Sequence, residues 1–135
     1  MNIYILGDTH GILNTFNVIE KFHNKIGFAP GDVILHVGDF GIGFDENLNN
    51  FHSLSAYLNK LNIKLYINRG NHDNPFYFEN CQNYNTKYLQ LVPDYSVLTI
   101  LGKKVLFLGG GISLDRNRRT KNRTYWEREN LVYDE

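Results

Sequence analysis

Three short apolar runs, each closed by glycine and an Asp or Asn, recur along the first half of the chain at nearly constant spacing. Ile3-Tyr4-Ile5-Leu6 leads into Gly7-Asp8. Val33-Ile34-Leu35-His36-Val37 leads into Gly38-Asp39. Ile63-Lys64-Leu65-Tyr66-Ile67 leads, after Asn68-Arg69, into Gly70-Asn71. Gly7, Gly38 and Gly70 are thus spaced by the length of a strand–helix–strand unit, about 30 residues. The intervals carry helical periodicity. Ile12, Phe16, Ile19, Phe22 and Ile26 form one apolar face, and Leu48, Phe51, Leu54, Leu58 and Leu61 form another, with Asp45 as its N-cap. Pro30-Gly31-Asp32 turns the chain into the second strand. The pattern predicts parallel βαβαβ units.

The character changes after residue 75. Tyr95–Leu101 and Lys104–Leu108 read as two strands around Gly102-Lys103, a hairpin. Gly109-Gly110-Gly111 closes the second strand, and residues 112–130 are polar and basic. No linker or low-complexity tract interrupts the 135 residues, so a single domain is expected.

Composition narrows the functional classes. Fourteen Lys+Arg balance fourteen Asp+Glu, which argues against a nucleic-acid binder driven by bulk charge. Nucleic acid then enters only as a substrate. A hydrophobic share of 42% with 14% aromatics is unlike a disordered chain. No apolar run approaches the roughly 18 residues of a membrane span. The first strand follows Met1 with no basic leader, and the lone Cys81 cannot form an internal disulfide. A cytoplasmic protein without membrane contact is the expectation.

Parallel strands joined by right-handed crossovers present all their C-terminal ends at one edge. The three blocks should therefore bring Asp8, His10, Asp39, Asn71, His72 and Asp73 together. Oxygen and imidazole donors without thiolate suit a divalent ion such as Mn, Fe, Zn or Ni and argue against a structural zinc site. Asp8 and His10, two residues apart, can face the same side of an extended segment. Asp39 has two oxygens with which to bridge two ions, and Asn71 offers a neutral carbonyl oxygen.

Gly7-Asp8-Thr9-His10-Gly11, Gly38-Asp39-Phe40-Gly41 and Gly70-Asn71-His72-Asp73, in this order, resemble the motifs of the calcineurin-like metallophosphoesterases. Gly109-Gly110-Gly111-Ile112-Ser113-Leu114-Asp115-Arg116, followed by Trp126, resembles a segment of small bacterial and phage members. The resemblance implies a β-sandwich flanked by helices and a two-metal hydrolase. Asp8 and His10 would hold the first ion, Asp39 would bridge, and Asn71 would hold the second. A metal-bound hydroxide, its pKa lowered from about 15.7 toward 7, would attack the phosphorus of a monoester or diester. His72 would face the phosphate and protonate the leaving oxygen. Asp73 would orient that imidazole and favour its protonated form. Asn71 and His72 would contact substrate phosphate; Arg69, immediately before the third block, would join them or, the favoured reading, brace the loop. The Asp-Arg-Gly continuation of the Ser/Thr protein phosphatases does not follow the second block, which sets that subgroup aside.

The family pattern also departs. Its later motifs supply one histidine and then a Gly-His-x-His pair, whereas the five histidines here are His10, His23, His36, His52 and His72. The chain is therefore expected to be the N-terminal part of the fold, truncated at its C-terminus, with an uncovered apolar face that promotes self-association. A non-catalytic remnant holding at most one ion or an anion is the competing expectation, and a second polypeptide supplying the missing ligands is another. His36 reads as a core or strand-end residue, His23 and His52 as solvated, Cys81 as inert, and Phe76-Tyr77-Phe78 as packing. Residues 103–128 carry eight Lys or Arg against Asp115 and Glu127. A solvated loop is the simpler reading of that segment, and a phosphate-attracting rim is the functional one.

Overall fold

In the computed structural model, the described residues are 1–44, 48–123 and 125–132. Four strands, β1 (Ile3–Leu6), β2 (Val33–His36), β3 (Lys64–Ile67) and β4 (Leu89–Leu91), form one sheet in the order β1-β2-β3-β4. All three pairings are parallel. Helices α1 (Ile12–Lys25), α2 (Asn49–Leu61) and the short α3 (Pro75–Glu79) lie in the crossovers. Strands β5 (Ser96–Ile100) and β6 (Lys103–Phe107) form a separate antiparallel hairpin.

Side-chain alternation divides the sheet between two layers. Ile34, Leu65 and Leu89 share one row of the register. They point to the helical side and pack with Ile12 and Ile19 of α1 and Phe51, Leu54 and Leu58 of α2. The intervening positions Val33, Leu35 and Tyr66 point the other way, where Val33 joins Val92 and the hairpin residues Ile100 and Phe107. The result is helices, a four-stranded sheet and a two-stranded sheet in three layers. This is an α/β β-sandwich with helices on one side, as expected. Each fully buried Leu or Ile in these layers contributes about 1.5–3 kcal/mol.

The local signals behave as their chemistry requires. α2 stops at Asn62, whose left-handed φ of 53° lets its N–H reach the carbonyls of Leu58 and Asn59. The expected cap Asp45 lies outside the described residues. His23 does not simply face solvent: its Nδ1 accepts the Phe28 N–H at 3.1 Å and closes the end of α1. Phe78 packs in the core while Phe76 is exposed. Some apolar surface stays open. Ile5 and Val37 are exposed, as are Val97 and Leu106, a directly opposed cross-strand pair of the hairpin. Among the described residues, no helix is long and apolar enough to cross a membrane.

Candidate metal centre

The sheet delivers its first three strand ends to adjacent loops, and backbone hydrogen bonds continue the ladder beyond the strands. Asp8 N–H donates to Gly38 O, His10 N–H to Asp39 O and Gly11 N–H to Phe40 O, at 2.9–3.0 Å. His72 N–H donates to Asp39 Oδ1 at 3.1 Å, tying the third loop to the second. Asp8, His10 and Asp39 all hold left-handed backbone angles, with φ of 54°, 50° and 56°. Such strain at non-glycine residues persists only where the surroundings over-determine it, and it concentrates at functional sites.

His10, Asp39 and His72 each offer a donor atom, and these atoms lie within 4.8 Å of one another. His10 Nε2 stands 3.9 Å from Asp39 Oδ2 and 3.9 Å from Asp8 Oδ1. Two donors bound to one ion at about 2.1 Å each are at most about 4.2 Å apart, so the two 3.9 Å separations fit a shared cation. The imidazole rings of His10 and His72 meet edge to face at 4.9 Å. Asn71 Nδ2 donates to Ser113 Oγ at 3.1 Å, which leaves its carbonyl oxygen as the atom available to a cation. The donors are hard or borderline and include no thiolate, the mixture that divalent ions of the Mn-to-Zn series accept.

The residues beside these donors have other duties than expected. Asp73 is fully buried and makes no bond to the His72 imidazole. Its Oδ1 accepts from the amides of Gly41 and Ile42, and its Oδ2 from Phe40 and Gly70. It therefore clamps the second loop to the third through backbone. Burial raises its pKa to about 6 against the pull of those amides. The His72 pKa is lowered, first by burial, with Arg119 and His10 adding to the effect against Asp39 and Asp115. The environment thus favours neutral imidazole, the opposite of the protonated form expected from an Asp73 partner.

Arg69 takes the favoured bracing role. Only 4% exposed, it pairs with Asp94 Oδ2 at 2.7 Å and donates to the carbonyls of Gly109, Glu129 and Asn130. It braces the loop against the C-terminal segment and is not aligned for substrate. That segment is no free basic loop. Arg119 Nη1 lies 3.0 Å from His72 Nδ1 and Nη2 lies 3.4 Å from Nε2, while Arg119 Nε pairs with Asp115 at 2.9 Å. Trp126 Nε1 donates to His72 O at 3.1 Å. Ser113 donates through both its backbone N–H and its Oγ, at 2.7 Å each, to the buried carboxylate of Glu129. Ser113, Arg119, Trp126 and Glu129 were not among the candidates. They lie 40 or more residues beyond the third block, and the signals pointing to their segment are the Gly-Gly-Gly-Ile-Ser-Leu-Asp-Arg resemblance with its Trp126 and the basic charge of residues 103–128.

A model of the calcineurin-like phosphoesterase family matches residues 1–135, the whole chain. The chain belongs to the calcineurin-like phosphoesterase family. Members of this family are metal-dependent hydrolases, and the His10, Asp39 and His72 cluster of this calcineurin-like phosphoesterase sits where its three motif loops meet.

Proposed function

We propose that this chain hydrolyses a phosphomonoester or phosphodiester with divalent cations held by Asp8, His10, Asp39 and Asn71. The observation that carries the reading is the convergence of His10, Asp39 and His72 donors within 4.8 Å. Asp8 and His10 would hold the first ion, Asp39 would bridge, and Asn71, through its carbonyl oxygen, would hold the second. Bound ions supply a water of lowered pKa and neutralise charge on the phosphoryl oxygens. His72 would act as proton donor to the leaving oxygen once a phosphate dianion faces it and raises its pKa. Arg119 brings a fixed positive charge to the same imidazole and suits a phosphoryl oxygen. Asp73 and Arg69 serve by holding the loops.

The test is hydrolysis of p-nitrophenyl phosphate and bis-p-nitrophenyl phosphate with Mn²⁺ present. Turnover that disappears with EDTA and in Asp39→Asn supports the reading. Turnover that survives Asp39→Asn contradicts the assignment.

A second reading, a non-catalytic module holding one ion, is favoured by one observation. Among the described residues, a single three-donor cluster lies within 4.8 Å, and the Arg119 cation lies against it. Calorimetric titration with Mn²⁺ separates the two, with two ions per chain for the hydrolase and one for the module.

A further inference from the structure

His36 ends β2 completely buried, yet it belongs neither to the metal cluster nor to an apolar contact alone. Its Nε2 lies 2.9 Å from Thr9 Oγ1, and its Nδ1 lies 3.4 Å from the Gly38 amide. Thr9 Oγ1 lies 2.6 Å from Thr15 Oγ1, which donates its only hydrogen to Gly11 O at 3.0 Å. These contacts have one consistent proton arrangement. With the Thr15 hydroxyl hydrogen committed to Gly11, Thr9 must donate to Thr15. Thr9 Oγ1 then accepts, so His36 Nε2 carries the hydrogen. His36 Nδ1 is left bare to accept from Gly38 N–H.

The result is a directed chain: Gly38 N–H to His36, His36 to Thr9, Thr9 to Thr15, and Thr15 to Gly11 O. It begins at the residue before Asp39, passes through the residue between Asp8 and His10, and ends at the residue after His10. All three of those donor-bearing residues are held in left-handed conformations. A neutral His36 matches the environment, since burial lowers its pKa to about 4.

We propose that His36, as its Nε2–H tautomer, is a positioning residue that holds the Asp8–His10 loop and the Asp39 loop in the register a metal ion requires. This rests on the metal-binding reading above and assigns the residue that preorganises the site. Histidine is suited because one flat, rigid ring places a donor and an acceptor on opposite sides, one for each loop.

Co²⁺ serves as the probe, through its affinity by calorimetry and its visible absorption bands, which report ligand geometry. His36→Asn keeps an acceptor near Gly38 but cannot reach Thr9. His36→Gln reaches Thr9 but offers no acceptor to Gly38. Thr9→Val removes the hydroxyl and interrupts the chain from its other end, without replacing the buried ring. Each variant is expected to weaken Co²⁺ about 10-fold or more, the usual scale for losing a partner of a metal ligand, and to change the bands. Ile34→Val, two residues earlier on the same strand, lowers stability by a core methyl and should leave affinity and spectrum unchanged. The proposal is overturned if the folded His36 variants, or Thr9→Val where these do not fold, keep wild-type affinity within twofold and an unaltered spectrum. It is also overturned if Ile34→Val moves both readouts equally. A wild-type protein that binds no Co²⁺ and hydrolyses nothing would instead remove the metal-binding reading itself.

Discussion

Gly70 is where the interlocking of the second and third loops is tightest. A Cβ built there would lie 2.1 Å from Asp39 Oδ1 and 2.2 Å from Asp39 N, against 3.4 Å for the start of ordinary contact. Gly70→Ala must therefore move two loops apart by roughly an ångström, since neither neighbouring atom is the free end of a flexible chain. The bonds crossing that gap are already near their working length. Gly41 N–H reaches Asp73 Oδ1 at 2.6 Å, His72 N–H reaches Asp39 Oδ1 at 3.1 Å, and Phe40 N–H reaches Asp73 Oδ2 at 3.2 Å. Loss or stretching of two such bonds at about 1–2 kcal/mol each, with about 1–2 kcal/mol of overpacking, gives about 3–5 kcal/mol. A domain of this size should then melt roughly 10–20 °C lower. Displacement of Asp39 should also weaken Mn²⁺ about 10-fold or more. Gly111→Ala is the matched control, because its Cβ would make only ordinary contacts, with Asn71 Cβ at 3.6 Å and Cγ at 4.0 Å. Thermal melts and Mn²⁺ calorimetry on both variants read the difference. A Gly70→Ala protein that melts within about 2 °C of wild type would refute the steric argument.

Three further outcomes are expected. Arg69→Met should lose about 3 kcal/mol, because it removes one partner of a largely buried ion pair, while the KM of folded protein stays unchanged; a raised KM at unaltered stability would return Arg69 to the substrate. Arg119→Ala should raise KM for p-nitrophenyl phosphate about 10-fold with melting temperature nearly constant, since its Asp115 pair is partly exposed and contributes little; a fall in stability without a KM change would make Arg119 structural. His36, with a folded pKa of about 4 below the unfolded 6.5, gives up stability as pH falls from 6.5 toward 4, by about 3 kcal/mol in total. Asp73, with its folded pKa raised to about 6, changes in the opposite sense over an overlapping range. The measurement is therefore the difference between wild type and His36→Asn in urea unfolding at pH 7 and pH 4.5, which should shrink as pH falls.

α1 and α2 were legible because each buries one face, which imposes a period on neighbouring residues, and β1, β2 and β3 because strands covered on both faces read as short apolar runs closed by glycine. The hairpin was legible from two runs around Gly102. β4 was missed because three residues, Leu89–Leu91, are too short to show a period. The convergence of the candidate residues followed from topology, since parallel strands must bring their C-terminal ends together, and their ligand roles from the family resemblance. The duties of their neighbours did not. Asp73 stands next to His72 in the chain, yet its carboxylate reaches back to amides 31–33 residues earlier. Arg69 stands beside the third block, yet it answers to Asp94 and to carbonyls 60 residues or more further on. Residue order by itself determined the layers and the donor types. The tertiary structure alone decided which polar groups meet, because the partners of Asp73 and Arg69 are largely backbone amides and carbonyls, which every residue type supplies and no sequence pattern marks.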